Sequence, residues 1–167
     1  IEMDNKAAAT GRWALANDPG KITQTSKFAA DSCATVAMNG TFYNMSVPYN
    51  SVSFFRKYGE LCYEFTENMG QRDNGALAIR EDGQVYLVAA PVDTAGMVLD
   101  KEWAINIEEP HVMGSGPLLM MDGKDAYLDG SSFNVKRHPR SALATNGKKV
   151  FLITVDGRAP GVADGMS

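Results

Sequence analysis

The sequence is poor in the residues from which metal sites and disulfide frameworks are built. Of its 167 residues only two are cysteine, Cys33 and Cys62, and two are histidine, His111 and His138. A zinc site would need all four, and their spacings match no compact ligand pattern. The two thiols read either as a disulfide, if the chain is exported, or as a pair of buried free cysteines. No apolar run approaches the length of a membrane span. Positive charge is not in excess either: the net charge is −4, which argues against nucleic acid or an anionic membrane as a partner. No signal-peptide pattern follows Ile1, which is uninformative for a mature domain. The GxSxG nucleophile elbow, the GxxxxGK[ST] phosphate loop and the HExxH zinc helix are all absent. Gly114-Ser115-Gly116-Pro117 is too short for a dinucleotide fingerprint. Asp122-Gly123-Lys124-Asp125 and Asp129-Gly130 lack the spacing and the closing glutamate of a calcium loop. Neither a cofactor nor a metal is expected.

What is present reads as one domain, 1–167, with 44% hydrophobic and 22% charged residues, enough to bury a core. Strand-like segments dominate: Ala34–Met38, Ser51–Phe55, Leu61–Phe65, Ala76–Arg80, Val85–Ala89, Trp103–Ile107, Pro117–Met121, Ser141–Thr145 and Val150–Val155. Asp82-Gly83 and Asn146-Gly147 mark hairpins, the latter as a type I′ turn with both central residues at positive φ. Only Thr25–Asp31 suggests a helix, with Thr25 or Ser26 as its cap. The expected class is α+β: a strand-rich mixed or mostly antiparallel sheet with few helices, and not a doubly wound Rossmann sheet.

The chemistry gathers in the last thirty residues. If Asn146-Gly147 closes a hairpin, Arg140 enters its first strand where Asp156 leaves the second, so both sit at one end. Arg137, His138 and Arg158 flank them, and a cation cluster facing one carboxylate can hold an anionic substrate. The bland readings are a turn dipeptide for Asp156-Gly157 and a surface charge for Arg140. Asn39 ends a predicted strand before Gly40, which aims its side chain into a cleft or into a local Asx turn. Phe42 and Tyr43 suit the floor of a sugar site or the core. Gly114 and Gly116 would let backbone approach a ligand closely. Glu108-Glu109 is a doubled carboxylate in a loop, ranked below Asp156 because solvated loop charges are common.

Four segments in order, Asn39-Gly40-Thr41-Phe42-Tyr43, Gly114-Ser115-Gly116-Pro117-Leu118-Leu119 with Asp122-Gly123, His138-Pro139-Arg140-Ser141-Ala142, and Val155-Asp156-Gly157-Arg158 with Gly165-Met166-Ser167, resemble the phosphodiester glycosidase family. The resemblance implies hydrolysis of a sugar-1-phosphodiester on an exported or cell-envelope glycan, leaving free sugar and a phosphomonoester. It implies Asp156, Arg140 and Asn39 as catalytic residues, with Thr41, Phe42, Gly114, Gly116, His138, Gly157 and Arg158 binding substrate. Within that chemistry, Arg140 suits the departing phosphate, because a guanidinium fork binds phosphate bidentately. Asp156 is left as base, nucleophile or orienter of the sugar. The alternative is a non-catalytic carbohydrate or cell-envelope binding module on the same fold. Members of the family continue past a Gly-Met-Ser/Thr segment into a helix and an Asn-Leu-Asp-Gly-Gly-Gly-like loop. The 167 residues are therefore expected to lack that helix and loop, to hydrolyse little, and to self-associate through an exposed C-terminal edge.

Overall fold

A computed structural model describes residues 1–6, 13–65 and 70–167. In chain order the described elements are β1 (Glu2–Asp4), α1 (Thr25–Asp31), β2 (Phe55–Lys57), β3 (Glu60–Tyr63), β4 (Gly75–Ile79), β5 (Val85–Ala89), β6 (His111–Ser115), β7 (Met120–Met121), β8 (Lys124–Asp125), α2 (Ser132–Val135), β9 (Arg140–Thr145) and β10 (Lys149–Val155). Short 3-10 turns fall at Gly70–Asp73 and Trp103–Asn106. The strands make a five-stranded sheet ordered β3-β2-β6-β4-β5, a three-stranded sheet ordered β1-β10-β9 and the small β7-β8 hairpin. Every pairing in them is antiparallel, and the fold is a strand-rich α+β domain.

β4 is the keystone because both its edges and both its faces are covered. All five of its residues are buried, so it reads as an unbroken apolar run and not as an alternating one. On one face Ala76 and Ala78 pack with Phe54, Trp103, Ala104, Ile107 and Val112; their small side chains leave room for the indole. On the other, Leu77 and Ile79 meet Val85 and Val150, with Met3, Leu143 and Leu152 around them. The three-stranded sheet is thus stacked on the five-stranded one through Val150, which is fully buried. Buried Asn5 ties the layers together: its amide donates to Val85 O and Gly147 O, while its carbonyl accepts from Val85 N–H. A buried amide is tolerated when its hydrogen-bonding groups are satisfied in this way.

Several sequence expectations need correction. Trp103–Ile107 is not a strand but a 3-10 turn, since its buried positions, Trp103, Ala104 and Ile107, follow helical spacing. Ala34–Met38 joins no ladder, because both edges of the adjacent β10 are already taken by β1 and β9. Val36, Ala37 and Met38 instead line a cavity of about 270 Å³ with Ile1 and Leu152–Thr154. Ser51–Phe55 contributes only a Tyr43–Ser51 bridge before β2 begins at Phe55. Pro117–Met121 shortens to Met120–Met121. At Asn146-Gly147 only Gly147 has positive φ, because the Asn146 carbonyl is drawn to the N–H groups of Lys148 and Lys149. The primed geometry appears instead at Asp122-Gly123 and at Tyr58-Gly59, where both residues are at positive φ. α1 spans Thr25–Asp31 as expected, but its N-cap is Gln24, without a side-chain capping bond. Cys33 takes the left-handed position just past the end of α1. Cys33 and Cys62 are free and both exposed, so neither the disulfide nor the buried-thiol reading holds. Among the described residues no helix is long and apolar enough to cross a membrane.

Candidate active site

The β9–β10 register places Arg140 opposite Val155, so Arg140 and Asp156 do leave the same end of the hairpin. The chain then returns on itself: His138 and Met166 exchange both backbone hydrogen bonds, His138 N–H to Met166 O at 3.1 Å and Met166 N–H to His138 O at 3.0 Å. Gly157 and Gly165 make that return possible. A methyl group on Gly165 would sit 2.5 Å from His138 O, and one on Gly157 would sit 2.7 Å from Pro139 N. Glycine at these two positions is therefore a packing requirement.

Arg140 is largely committed to this corner. Its Nε donates to Met166 O at 3.1 Å, and its Nη2 donates to Phe133 O at 2.5 Å and Lys136 O at 3.2 Å. It also lies over the Phe133 ring, 4.6 Å from the centroid. Among the described residues its Nη1 makes no hydrogen bond. Arg158, held at φ 59, brings Nη2 to 3.3 Å from His138 Nδ1. A guanidinium cannot accept, so His138 Nδ1 accepts and its proton rests on Nε2. Desolvation, then the charges of Arg158, Arg140 and Lys136, hold the His138 pKa below the ordinary value, which favours this neutral form. Arg137 pairs with Asp164 at 3.4 Å on an exposed surface, an interaction worth little to stability. Asp156 is exposed, and among the described residues it makes no hydrogen bond or ion pair.

The other predicted residues approach from a separate wall. Asn39 is exposed, and its carbonyl accepts from the Thr25 hydroxyl at the start of α1. Thr41 Oγ1 and Ser51 Oγ are 2.9 Å apart. Phe42 meets Phe133 edge-on at 5.4 Å, which links the Asn39–Tyr43 segment to α2 and so to Arg140. Thr41, Phe42, Tyr43, Asn44, Met45, Val52 and Arg72 line a cavity of about 410 Å³. Gly114 is buried in β6, where a methyl group would lie 2.8 Å from the Phe65 ring, so the space above it is filled by an aromatic side chain. Gly116 is half-buried and precedes Pro117 through a cis peptide bond. Glu109 sits beside Tyr86, whose phenol is pushed up to about 12 by burial and then by that carboxylate.

Sequence reasoning missed three residues here. Phe133 sits on a one-turn helix that no pattern announced, and its ring is shared by Arg140 and Arg72, each 4.6 Å from the centroid. Arg72 and Asp73 end the 3-10 turn just before β4. A polar Arg-Asp-Asn run leading straight into a buried apolar strand is the one signal that could have drawn attention to them. Asp73 is buried, accepts from Ser53 Oγ at 2.8 Å and leaves Oδ2 without a partner among the described residues. Desolvation pushes its carboxyl up to about 6, against the opposing pull of the Ser53 bond and the Arg72 charge.

A pKa raised by folding means that the fold favours the protonated acid. The stabilising contribution is complete below the unfolded value of 3.8 and is lost as pH rises through about 6. Asp73→Asn is expected to be more stable than wild type by about 1–3 kcal/mol near neutral pH, with the gap closing in acid. Urea unfolding of both proteins at about pH 7.5 and about pH 5 checks this. Parallel pH profiles would show that Asp73 is not the group responsible.

Among the described residues no group of three His, Cys, Asp or Glu side chains is placed to hold a metal ion. A family model described as phosphodiester glycosidase matches residues 32–167. No curated protein and no solved structure matches the chain.

Proposed function

Because the chain belongs to the phosphodiester glycosidase family, we propose that it hydrolyses a sugar-1-phosphodiester by cleaving the bond between the anomeric carbon and oxygen. The family is one of glycosidase-type hydrolases, and the products would be the free sugar and a phosphomonoester. The observation that carries this reading is the hairpin end. An exposed carboxylate, Asp156, leaves the strand end that Arg140 enters, with Arg158 following it along the chain, and among the described residues none of the three forms a salt bridge.

A phosphate is a far better leaving group than a sugar alcohol, so the reaction depends less on a strong general acid than ordinary glycoside hydrolysis does. What it needs is positive charge on the departing phosphate and a carboxylate at the anomeric carbon. Arg158 and the Nη1 of Arg140 supply the first requirement, and the Nε2–H of neutral His138 adds an uncharged hydrogen-bond donor. Asp156 supplies the second, either activating water or attacking the sugar itself. Thr41 and Phe42 line the cavity in which the sugar would rest, Asn39 precedes them on the same segment, and Gly157 holds the corner that carries Arg158. An exported or cell-envelope glycan is the substrate class that this reading favours.

The test is incubation of the full-length protein with an α-GlcNAc-1-phosphodiester and a panel of related sugar-1-phosphodiesters. Stoichiometric release of sugar and phosphomonoester is the expected result. Saturable binding of the same compounds without turnover would identify a carbohydrate-binding module instead.

A further inference from the structure

We propose that Arg72 is a phosphate ligand of this site, presenting the edge of its guanidinium to the cavity walled by Thr41, Phe42, Tyr43 and Asn44. The assignment rests on the phosphodiester reading above and extends its anion site beyond the hairpin end. Two guanidinium groups flank Phe133 at equal distance, yet they are used differently. Arg140 spends its Nε and Nη2 on three backbone carbonyls. Arg72 lies over Phe133 at 4.6 Å and over Phe42 at 5.9 Å, and makes no hydrogen bond or salt bridge with the described residues.

Stacking on a ring occupies the face of a guanidinium and leaves its in-plane N–H donors free. The two rings meet edge-on, so Arg72 can lie flat against only one of them, the nearer Phe133, and its N–H donors make no hydrogen bond with the described residues. It is half-buried, and it belongs to the wall of the cavity of about 410 Å³. Its sequence neighbour Asp73 turns to Ser53, and Asp129, whose carboxylate feels the Arg72 charge, is bonded to Ser131 N–H and Asn134 Nδ2. A planar donor fork fixed by stacking is suited to a tetrahedral oxyanion, which it can meet with two parallel hydrogen bonds. Phe42 lies on the same wall and offers an apolar surface to the sugar. The cavity therefore combines the two recognition elements that a sugar phosphodiester requires.

Titration calorimetry of the full-length protein with methyl phosphate, the simplest phosphomonoester, tests the assignment directly. Arg72→Ala should weaken methyl phosphate about tenfold to a hundredfold, the range expected for one charge-assisted contact. Arg72→Lys should restore part of the loss, because a point charge lacks the fork. Binding of neutral N-acetylglucosamine and the thermal midpoint of Arg72→Lys should stay near wild type. Equal methyl phosphate affinity in wild type and Arg72→Ala, or none in wild type, would overturn the assignment. Turnover of the phosphodiester panel is read separately. Wild-type turnover with unchanged methyl phosphate affinity in Arg72→Ala removes Arg72 alone. Arg72-dependent methyl phosphate binding without turnover removes the hydrolytic reading and keeps the anion site.

Discussion

Gly165→Ala is expected to destabilise the protein by about 2–5 kcal/mol and to abolish any activity that depends on the hairpin end. The added methyl would lie 2.5 Å from His138 O and 2.6 Å from His138 C, and both are backbone atoms that cannot rotate aside. Residue 165 also sits at φ +93, where an L side chain is strained whatever space surrounds it. The two penalties act on one small element, the His138–Met166 bridge. Opening that bridge releases Met166 O from Arg140 Nε, and with it part of the clamp that fixes Arg140. Equilibrium unfolding together with turnover measures both effects. A stable Gly165→Ala protein with wild-type activity would show that this corner tolerates displacement and does not organise the site.

Asp156→Asn is expected to behave in the opposite way, losing function and keeping the fold. The carboxylate is exposed and makes no hydrogen bond or ion pair among the described residues, so its loss should change stability by less than about 0.5 kcal/mol. A carboxamide has almost the same shape but can neither accept a proton from water nor attack an anomeric carbon. Turnover should therefore fall on the order of 10²–10⁴-fold if Asp156 acts as a general base. A nucleophilic role would lower it at least as far. Substrate affinity, read by calorimetry, should change far less than kcat. An Asp156→Asn variant with wild-type kcat would remove Asp156 from the chemistry.

The contrast between these two substitutions shows what the sequence could and could not convey. The β9–β10 hairpin was readable because its two apolar runs flank a turn dipeptide. The shared end of Arg140 and Asp156 followed from that turn alone, even though the turn itself is not the primed type expected. β4 and β5 were readable for the same reason, with Asp82-Gly83 between them. Trp103–Ile107 was misread because a short apolar run can satisfy either period, and its length did not decide between them. Ala34–Met38 was misread because strand propensity is local, whereas a free edge to pair with is a property of the whole sheet.

The site was legible in outline and not in its use of side chains. A sequence shows that Arg140 follows His138-Pro139, but not that three carbonyls from Phe133, Lys136 and Met166 converge on its guanidinium. Nor does it show that Phe42, Arg72 and Phe133, which lie far apart along the chain, come into contact. Gly114 looked like a position for close ligand approach, and in the fold the space a side chain would take is held by Phe65. The polar Arg72-Asp73-Asn74 run before β4 draws attention to these residues, but it does not show that Asp73 and Asn74 are buried.

The central claim is that hydrolysis breaks the sugar's C–O bond and leaves the phosphate oxygens untouched. Reaction of the full-length protein with an α-GlcNAc-1-phosphodiester in heavy-oxygen water tests it most directly. The phosphomonoester is the product to weigh, because its oxygens do not exchange with water, whereas the anomeric hydroxyl of a free sugar does. The account predicts an unlabelled phosphomonoester, with heavy oxygen entering through the sugar. One heavy oxygen retained in the phosphate would mean attack at phosphorus and would contradict the account.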